Sequence, residues 1–393
     1  MRKGFVIFVT FLIICATVIA AFNIPFIREK LKELSNLIFV EQLQEYTNDF
    51  TINELKMKNQ SFYYNNLSEE NKKIYTSIAN GVKNLDNKFV LNDYTIVDND
   101  TTMQDIEKSM QAFLADHPEV FYVDNEYTVT NKRTVFNEYI EISLNYSVTS
   151  QSDLQFKINE IKSKLNEYLT RVQDKIGFEA ELELHDLLGQ NVEYNEYVDL
   201  ESVPQEAHTI YGAFVERKAV CDGFAKALQL LLDRKNIENI IVLGNLENES
   251  HAWNMVKLDN EWYHLDLTSN KSIKDINTMI VLHTYFNLTT KQIEKTHIID
   301  NKEFVPEATQ TKYNYYKYTN KNITLLDDFN TKFKQILDDN YNQYIVEFGV
   351  SDINNVAEKM VDFLSRNRYQ EYISNNKITY YSLLDSYVLA KNK

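Results

Sequence analysis

The sequence predicts an α+β protein in which a cysteine-bearing helix packs on an antiparallel sheet, and three observations point there. After Val220 the apolar residues Phe224, Leu228, Leu231 and Leu232 recur at helical spacing, with Cys221 on the same stripe. Further on, Ala252–Leu258 and Glu261–Leu267 read as two strands joined by the turn pair Asp259-Asn260. On both sides lie stretches that alternate between strand and helix periodicity, which predicts small α+β modules flanking the central domain.

Taken in order, Met1-Arg2-Lys3 precedes an uncharged run from Gly4 to Ile27, and Phe5 to Phe22 is apolar apart from Thr10 and Thr17. Such a run reaches membrane-span length and exceeds the roughly 7–15 residues of a cleaved signal core. Residues 1–27 are therefore expected to form an N-terminal membrane helix, a single-pass signal-anchor with the bulk of the chain extracytoplasmic. Val18 and Ala20 leave open a cleavage site and secretion as the alternative. Cys15 follows Ile14 rather than a small residue, so a lipid anchor there is not expected, and an exported remainder would hold Cys221 alone with no internal disulfide.

Residues 28–86 read as a helical stalk, starting with a charged, helically patterned segment from Phe26 to Phe50. Its second helix is capped by Ser68 and buries Ile74, Ile78, Val82 and Leu85. Residues 87–150 read as a small α+β module. Strand-like NKFVLNDYTI precedes a helix with Met103, Ile106, Met110, Phe113 and Leu114 on one face, stopped at His117-Pro118, and then come VFYV, EYTVT and YIEISLNY. Asp98-Asn99-Asp100 is a turn before a helix, because the glycine and glutamate of a calcium loop are missing.

Residues 151–300 open with a helix capped by Ser152 and carrying Leu154, Ile158, Ile161, Leu165, Leu169 and Val172, and a second helix around Leu182 to Leu188 leads to Tyr194. A loop from Tyr197 to Ala207 crosses ahead of the cysteine, and Thr278 to Leu288 has strand texture. Pro306 marks a boundary, after which residues 305–393 form a further α+β module. Its elements are a helix near Leu325 to Leu337, the strand YIVEFGV, a helix from Asp352 to Arg366 and the strand-like KITYYSLLDSYVLA.

Composition narrows the function. A formal charge of −16 argues against a nucleic-acid partner, which needs clustered Lys and Arg. Gly and Pro are scarce beside 26 Tyr and 22 Phe, which excludes a low-complexity protein. His117, His185, His208, His283 and His297 read as core or surface residues without metal-ligand spacing, so neither a metal nor a cofactor is expected.

Chemistry concentrates at Cys221, His251 and Asp266. Cys221 at a helix start faces free amide donors and the positive end of the macrodipole, an environment that favours a thiolate, while Asp222 opposes it as a like charge. With a two-residue turn, Leu258 faces Glu261 and position 253 faces 266, so His251 lies diagonal to Asp266 on one face, with Cβ atoms ~7 Å apart. A bulged turn would separate them. His264 is the rival base, since it shares a strand face with Asp266. Thiol, imidazole and carboxylate are the nucleophile, base and orienting group of covalent acyl transfer. Tyr211, Gly223 and Trp253 are candidates to line the substrate cleft, Gly223 because its lack of a side chain leaves room for a substrate or a neighbouring strand.

Three blocks carry a resemblance: Tyr211-Gly212-Ala213 with Lys218 to Ala227, then His251-Ala252-Trp253-Asn254, then Trp262 to Thr268. In these the chain resembles the transglutaminase-like superfamily, in particular its bacterial members. The resemblance implies a papain-like fold with Cys221, His251 and Asp266 as catalytic triad. Arg217 stands where the family has glycine, and Ser269-Asn270 where it has tryptophan-aspartate. The expected activity is that of a cysteine acyltransferase acting on glutamine or similar carboxamides of proteins or peptides at the cell surface. A cysteine peptidase or amidase, and a non-catalytic binding module, are the alternatives.

Overall fold

A computed structural model describes residues 62–91, 99–133, 138–195, 203–271, 281–300, 302–325, 327–340, 343, 345–350, 355–374, 377–378 and 380–391. The expected membrane segment 1–27 and the segment from Phe26 to Phe50 lie outside these residues. Among the described residues no helix is long and apolar enough to cross a membrane. The chain divides into two compact units, and the first takes in residues 67–113 and 123–147.

In the first unit, helix α1 (Glu69–Asn84) starts where Ser68 Oγ accepts the Asn71 amide at 3.1 Å and ends at Leu85 in the left-handed region. It buries Ile74, Ile78 and Val82. Strand β1 (Lys88–Val90), helix α2 (Asn99–Asp116), and strands β2 (Val123–Arg133) and β3 (Glu138–Tyr146) follow. The strands form an antiparallel sheet in the order β1-β3-β2. Helix α2 buries Ile106, Met110 and Phe113, but Met103, expected on that face, is 45% exposed because the buried stripe continues through Thr102 in the first turn.

The second unit takes in residues 55–66, 114–122 and 148–393. Helix α3 (Gln151–Arg171) is capped by Ser150 rather than by the expected Ser152: Ser150 Oγ accepts the Asp153 amide at 3.1 Å, and Asp153 Oδ2 accepts the Thr149 amide at 2.9 Å. Ser150 stands three residues before Asp153, the spacing at which a cap hydroxyl meets the backbone amide of the first turn, while the Asp153 side chain ties back the preceding Thr149. Helix α4 (Gly177–Asn191) leads into strand β4 (Glu193–Tyr194), which pairs in parallel with β5 (Lys218–Ala219) immediately ahead of helix α5 (Cys221–Arg234).

Strands β6 (Asn239–Leu246), β7 (Glu249–Leu258), β8 (Glu261–Leu265) and β9 (His297–Ile299) build an antiparallel sheet in the order β8-β7-β6-β9. Alternation divides its faces. Ala225 of α5 packs with Ile241 and Ala252 on one side, where Asn254 Nδ2 also donates to Ala225 O at 3.0 Å. Ile240, Val242, Trp253 and Met255 pack on the other side with Leu288, Ile293 and Ala308. The segment ahead of Leu288 is not the expected strand. Residues 281–287 are irregular, Asn287 sits at φ 56°, and only Leu288 bridges to His264.

Strand β10 (Asn322–Ile323), helix α6 (Phe329–Asp339), strand β11 (Ile345–Val350), helix α7 (Val356–Arg366) and the hairpin β12 (Tyr380–Leu383) with β13 (Ser386–Ala390) complete this unit. The sheet order is β10-β11-β13-β12, over a core that includes Phe333, Phe348, Met360, Leu364 and Leu389.

One close approach secures the edge of the Cys221 domain's sheet. A Cβ built on Gly244 would stand 2.0 Å from Ile298 O of β9 and 2.9 Å from the Trp253 ring. Gly244→Ala should therefore destabilise the protein by about 1–3 kcal/mol through overpacking. Chemical denaturation measures this, and an unchanged midpoint would contradict the packing.

Candidate active site

Val220 ends in extended backbone and α5 begins at Cys221, so the half-buried free thiol stands in the first helical turn. The like charge of Asp222 is balanced locally. Its Oδ1 lies 2.9 Å from His208 Nδ1 and accepts the Gly223 amide at 3.0 Å, while Oδ2 accepts Lys226 Nζ at 3.2 Å. Burial pushes this carboxyl up, but Lys226 and His208 outweigh burial and hold it below its usual range.

The turn between β7 and β8 has Asp259 at φ 49° and Asn260 at φ 67°, both left-handed, as a two-residue hairpin requires. Leu258 pairs with Glu261 and Asn254 with Leu265. With no bulge in this register, His251 and the first residue after β8, Asp266, meet: His251 Nε2 lies 2.9 Å from Asp266 Oδ2. The ring's other nitrogen is not engaged by Asp266, and Cys221 is near enough to act on the imidazole's charge. Burial pulls the imidazole down, but the Asp266 charge and hydrogen bond, together with Cys221, hold it up at about 10.

Asp266 is fully buried and surrounded by donors. Thr268 Oγ1 and the Ser269 amide donate to Oδ1 at 2.9 and 3.1 Å. Ser269 Oγ donates to Oδ2, and His297 Nε2 lies 3.0 Å from the same oxygen. Burial alone would raise this carboxyl, yet His251 and His297 bring it well below its usual range. Neither His297 nor Ser269 is marked for this role by the sequence pattern. Ser269 was visible only as a departure from the family's pattern, and no local signal linked His297 to a residue so far back in the chain.

His264, the rival base, is occupied elsewhere. Trp253 Nε1 donates to its Nδ1 at 3.1 Å, and its Nε2 lies 3.2 Å from Thr290 Oγ1. Burial, with His297 nearby, pushes it down to about 3. Trp253 is buried and stacks on His251 with ring centres 5.9 Å apart, so it supports the imidazole from the protein side. Gly223 backs onto Ala207, whose carbonyl oxygen would stand 2.3 Å from an added Cβ, so the space it leaves is filled by a neighbouring segment. Tyr211 donates its hydroxyl to Glu160 at 2.9 Å and stacks on Phe121. Among the described residues Tyr194 also lies near the thiol, 42% exposed and stacked on Phe224 of the first turn of α5; burial and Cys221 push its phenol up to about 12. Arg217 sits at φ 59°, a left-handed position that explains why glycine suits it in similar sequences.

A second buried network stands next to the first. Asn270 Oδ1 accepts the Tyr285 amide at 2.8 Å, which fixes the amide orientation and turns its NH₂ toward His185 Nε2 at 3.0 Å. His185 Nδ1 therefore carries the proton and donates to Asp186 Oδ1 at 2.9 Å. His283 Nε2 donates to the same Asp186 oxygen at 2.9 Å and its Nδ1 donates to Glu347 on β11, while the ring stacks on Tyr315 at 3.7 Å. His185, Asp186 and His283, like His251, Asp266 and His297, bring ligand-type atoms within 4.8 Å of one another, which their spacing in the sequence concealed. In the first group the Asn270 contact keeps a proton on His185 Nδ1, and a protonated ring nitrogen does not ligate.

Comparison with known proteins meets the chain in this region. Residues 163–267 match the family model of the transglutaminase-like superfamily. This transglutaminase-like domain runs from within α3 to just past Asp266 and contains Cys221 and His251. Similar solved structures include a TGase at 14% identity and TM-score 0.27, covering 37% of this chain and 44% of that one. A protein described as a candidate cysteine protease from Cytophaga hutchinsonii has 15% identity and TM-score 0.23, covering 36% and 61% respectively. A candidate protease from Parabacteroides distasonis has 10% identity and TM-score 0.22, covering 36% of each chain. The chain thus spans less than two thirds of the length of these structures. No curated protein matches it.

The network around His283 has a testable pH signature. Burial pulls His283 down, but Glu347 and Asp186 outweigh burial and hold it at about 9. Because its pKa rises on folding, its charge contributes stability in full below the unfolded value of about 6.5 and loses that contribution as pH rises through about 9. Glu347→Gln removes the larger of the two supporting charges. Wild-type and variant melting temperatures should differ most near pH 6.5 and converge above about pH 9. Parallel curves would show that His283 is not the group responsible.

Proposed function

We propose that this chain is a cysteine acyltransferase acting through a thioester on glutamine or similar carboxamide groups of proteins or peptides. The observation that carries this reading is the hydrogen-bonded His251–Asp266 pair, whose imidazole interacts with the half-buried Cys221 thiol at the start of α5. In the proposed reaction the Cys221 thiolate attacks the carboxamide carbonyl and forms the C–S bond. His251 gives its proton to the departing nitrogen, so ammonia leaves as the C–N bond breaks. His251 then takes a proton from the incoming amine as that amine displaces the thiolate. Asp266 accepts from His251 Nε2 throughout and so keeps the opposite ring nitrogen aimed at sulfur. The backbone amide of Cys221, at the start of the helix, is the proposed donor to the oxyanion. The apolar run from Gly4 to Ile27 supports export and retention at the membrane, which would place such substrates at the cell surface.

The full chain should incorporate a fluorescent primary amine into a glutamine-rich protein, and Cys221→Ala should abolish incorporation while leaving the melting temperature unchanged. Ammonia release or peptide cleavage without incorporation would identify an amidase or peptidase. A Cys221 that reacts with iodoacetamide no faster than free cysteine would favour a binding module. His251→Ala should lower the rate by roughly 10³-fold or more. Asp266→Asn should lower it without abolishing it. His264→Ala should act chiefly on stability, because that ring is buried and bonded to Trp253 and Thr290. A larger rate loss for His264→Ala than for His251→Ala would reverse the assignment of the base.

A further inference from the structure

We propose that His297 is a positioning residue: it holds the Asp266 carboxylate in the one orientation that lets Oδ2 receive the His251 Nε2–H, and so directs the opposite edge of the His251 ring at Cys221. The inference rests on the acyl-transfer reading and names a residue that neither the family blocks nor the sequence patterns single out.

The geometry begins with the carboxylate. Asp266 has two chemically equivalent oxygens and, as an ionised group, can only accept hydrogen bonds, so every ring nitrogen facing it carries a proton. Thr268 and the Ser269 amide donate to Oδ1 and Ser269 Oγ to Oδ2; all three bonds come from the loop that follows Asp266 and would move with it. His251 Nε2 and His297 Nε2 converge on Oδ2 at 2.9 and 3.0 Å from two different strands, β7 and β9. β9 is tied to β6, where Leu246 pairs with His297, and the β6 partner of His251 is Gly244. The two imidazoles are thus registered to each other through one intervening strand, and the carboxylate oxygen sits where their donor atoms meet.

His297 is itself immobilised. It is 1% exposed, its Nδ1 lies 2.8 Å from Thr296 Oγ1, and Trp253 and Tyr285 pack edge-on against its ring at 4.9 and 5.6 Å. With Nε2 donating to Asp266, Nδ1 is engaged by the Thr296 hydroxyl, so both ring nitrogens are held. A ring fixed at both nitrogens and on its surfaces is a rigid donor. The second N–H on Oδ2 also stabilises the carboxylate as an anion, which keeps the proton on His251 Nε2 rather than letting it pass to Asp266. A histidine serving only to fill the core would satisfy its nitrogens on any nearby acceptor. This one shares an oxygen with the proposed base.

The test follows the Cys221 peptide of the full chain by mass spectrometry during iodoacetamide alkylation across a pH series. His251 Nε2–H is followed in parallel as a downfield proton resonance, assigned by its loss in His251→Ala. His297→Ala should slow alkylation on the acid side by roughly ten- to hundredfold, the size of one lost charge-assisted hydrogen bond, and move the resonance. His297→Gln, whose amide nitrogen reaches near the imidazole Nε2 position and donates, should recover most of the rate and restore the resonance. Thr296→Val, which removes only the bond to Nδ1, should shift both readouts in the same direction by less, and it remains informative if His297→Ala does not fold. An alkylation profile and resonance unchanged in His297→Ala, or equal impairment in the Ala and Gln variants, would overturn the proposal. A wild-type Cys221 no more reactive than free cysteine would sink the acyl-transfer reading instead, while the resonance still reports whether His297 orients the pair.

Discussion

One buried carboxylate organises the chemistry of this protein. Asp266 is removed from water and surrounded by Thr268, Ser269, His251 and His297, so it is ionised in a place where an unpaired charge would be prohibitive. Its donors are drawn from two strands and the loop that follows it, and each must be in register for the charge to be tolerated. The fold therefore assembles around it as much as it assembles around the fold. His251 acquires its raised pKa from this arrangement, and Cys221 acquires its partner from His251.

The second network shows the same economy. Asn270 donates to His185, which donates to Asp186, which also accepts from His283, which donates in turn to Glu347 on β11. Asn270 also takes part in the turn that follows Asp266, its amide donating to Asp266 O at 3.3 Å. The loop carrying the proposed orienting carboxylate is thus fastened on one side by donors to Asp266 and on the other by a line of polar groups reaching into the C-terminal sheet. Adjacent residues make the two connections, Ser269 to Asp266 and Asn270 to His185.

Local rules made much of this legible. The start of α5 follows from apolar spacing after Val220, and the β7–β8 register follows from Asp259-Asn260, two residues that tolerate the left-handed backbone a short hairpin demands. The meeting of His251 with Asp266 then follows from counting along two strands. What local rules could not supply was anything decided across the sheet or between helices. His297 reaches Asp266 from an edge strand formed after an irregular segment, and His185, Asp186, His283 and Glu347 converge from three separate elements. The cap expected at Ser152 falls to Ser150, two residues earlier, because it is the Ser150 hydroxyl that the Asp153 amide reaches. Of the two occupants Gly223 allowed, a substrate or a neighbouring segment, the Ala207 carbonyl is the one found, because an absent side chain signals proximity without naming the neighbour.

The reach of Glu347 into the histidine network bears on how the chain can be divided. Pro306 interrupts the secondary structure, but residues 148–393 form one compact unit, and the imidazolium of His283 has one of its two counterions on the far side of that proline. A fragment ending there would leave a buried cation half-neutralised and would strip away the aromatic ring of Tyr315 stacked on it. The C-terminal sheet is therefore part of the same cooperative melting unit as the thiol-bearing helix, an intramolecular clamp rather than an appendage.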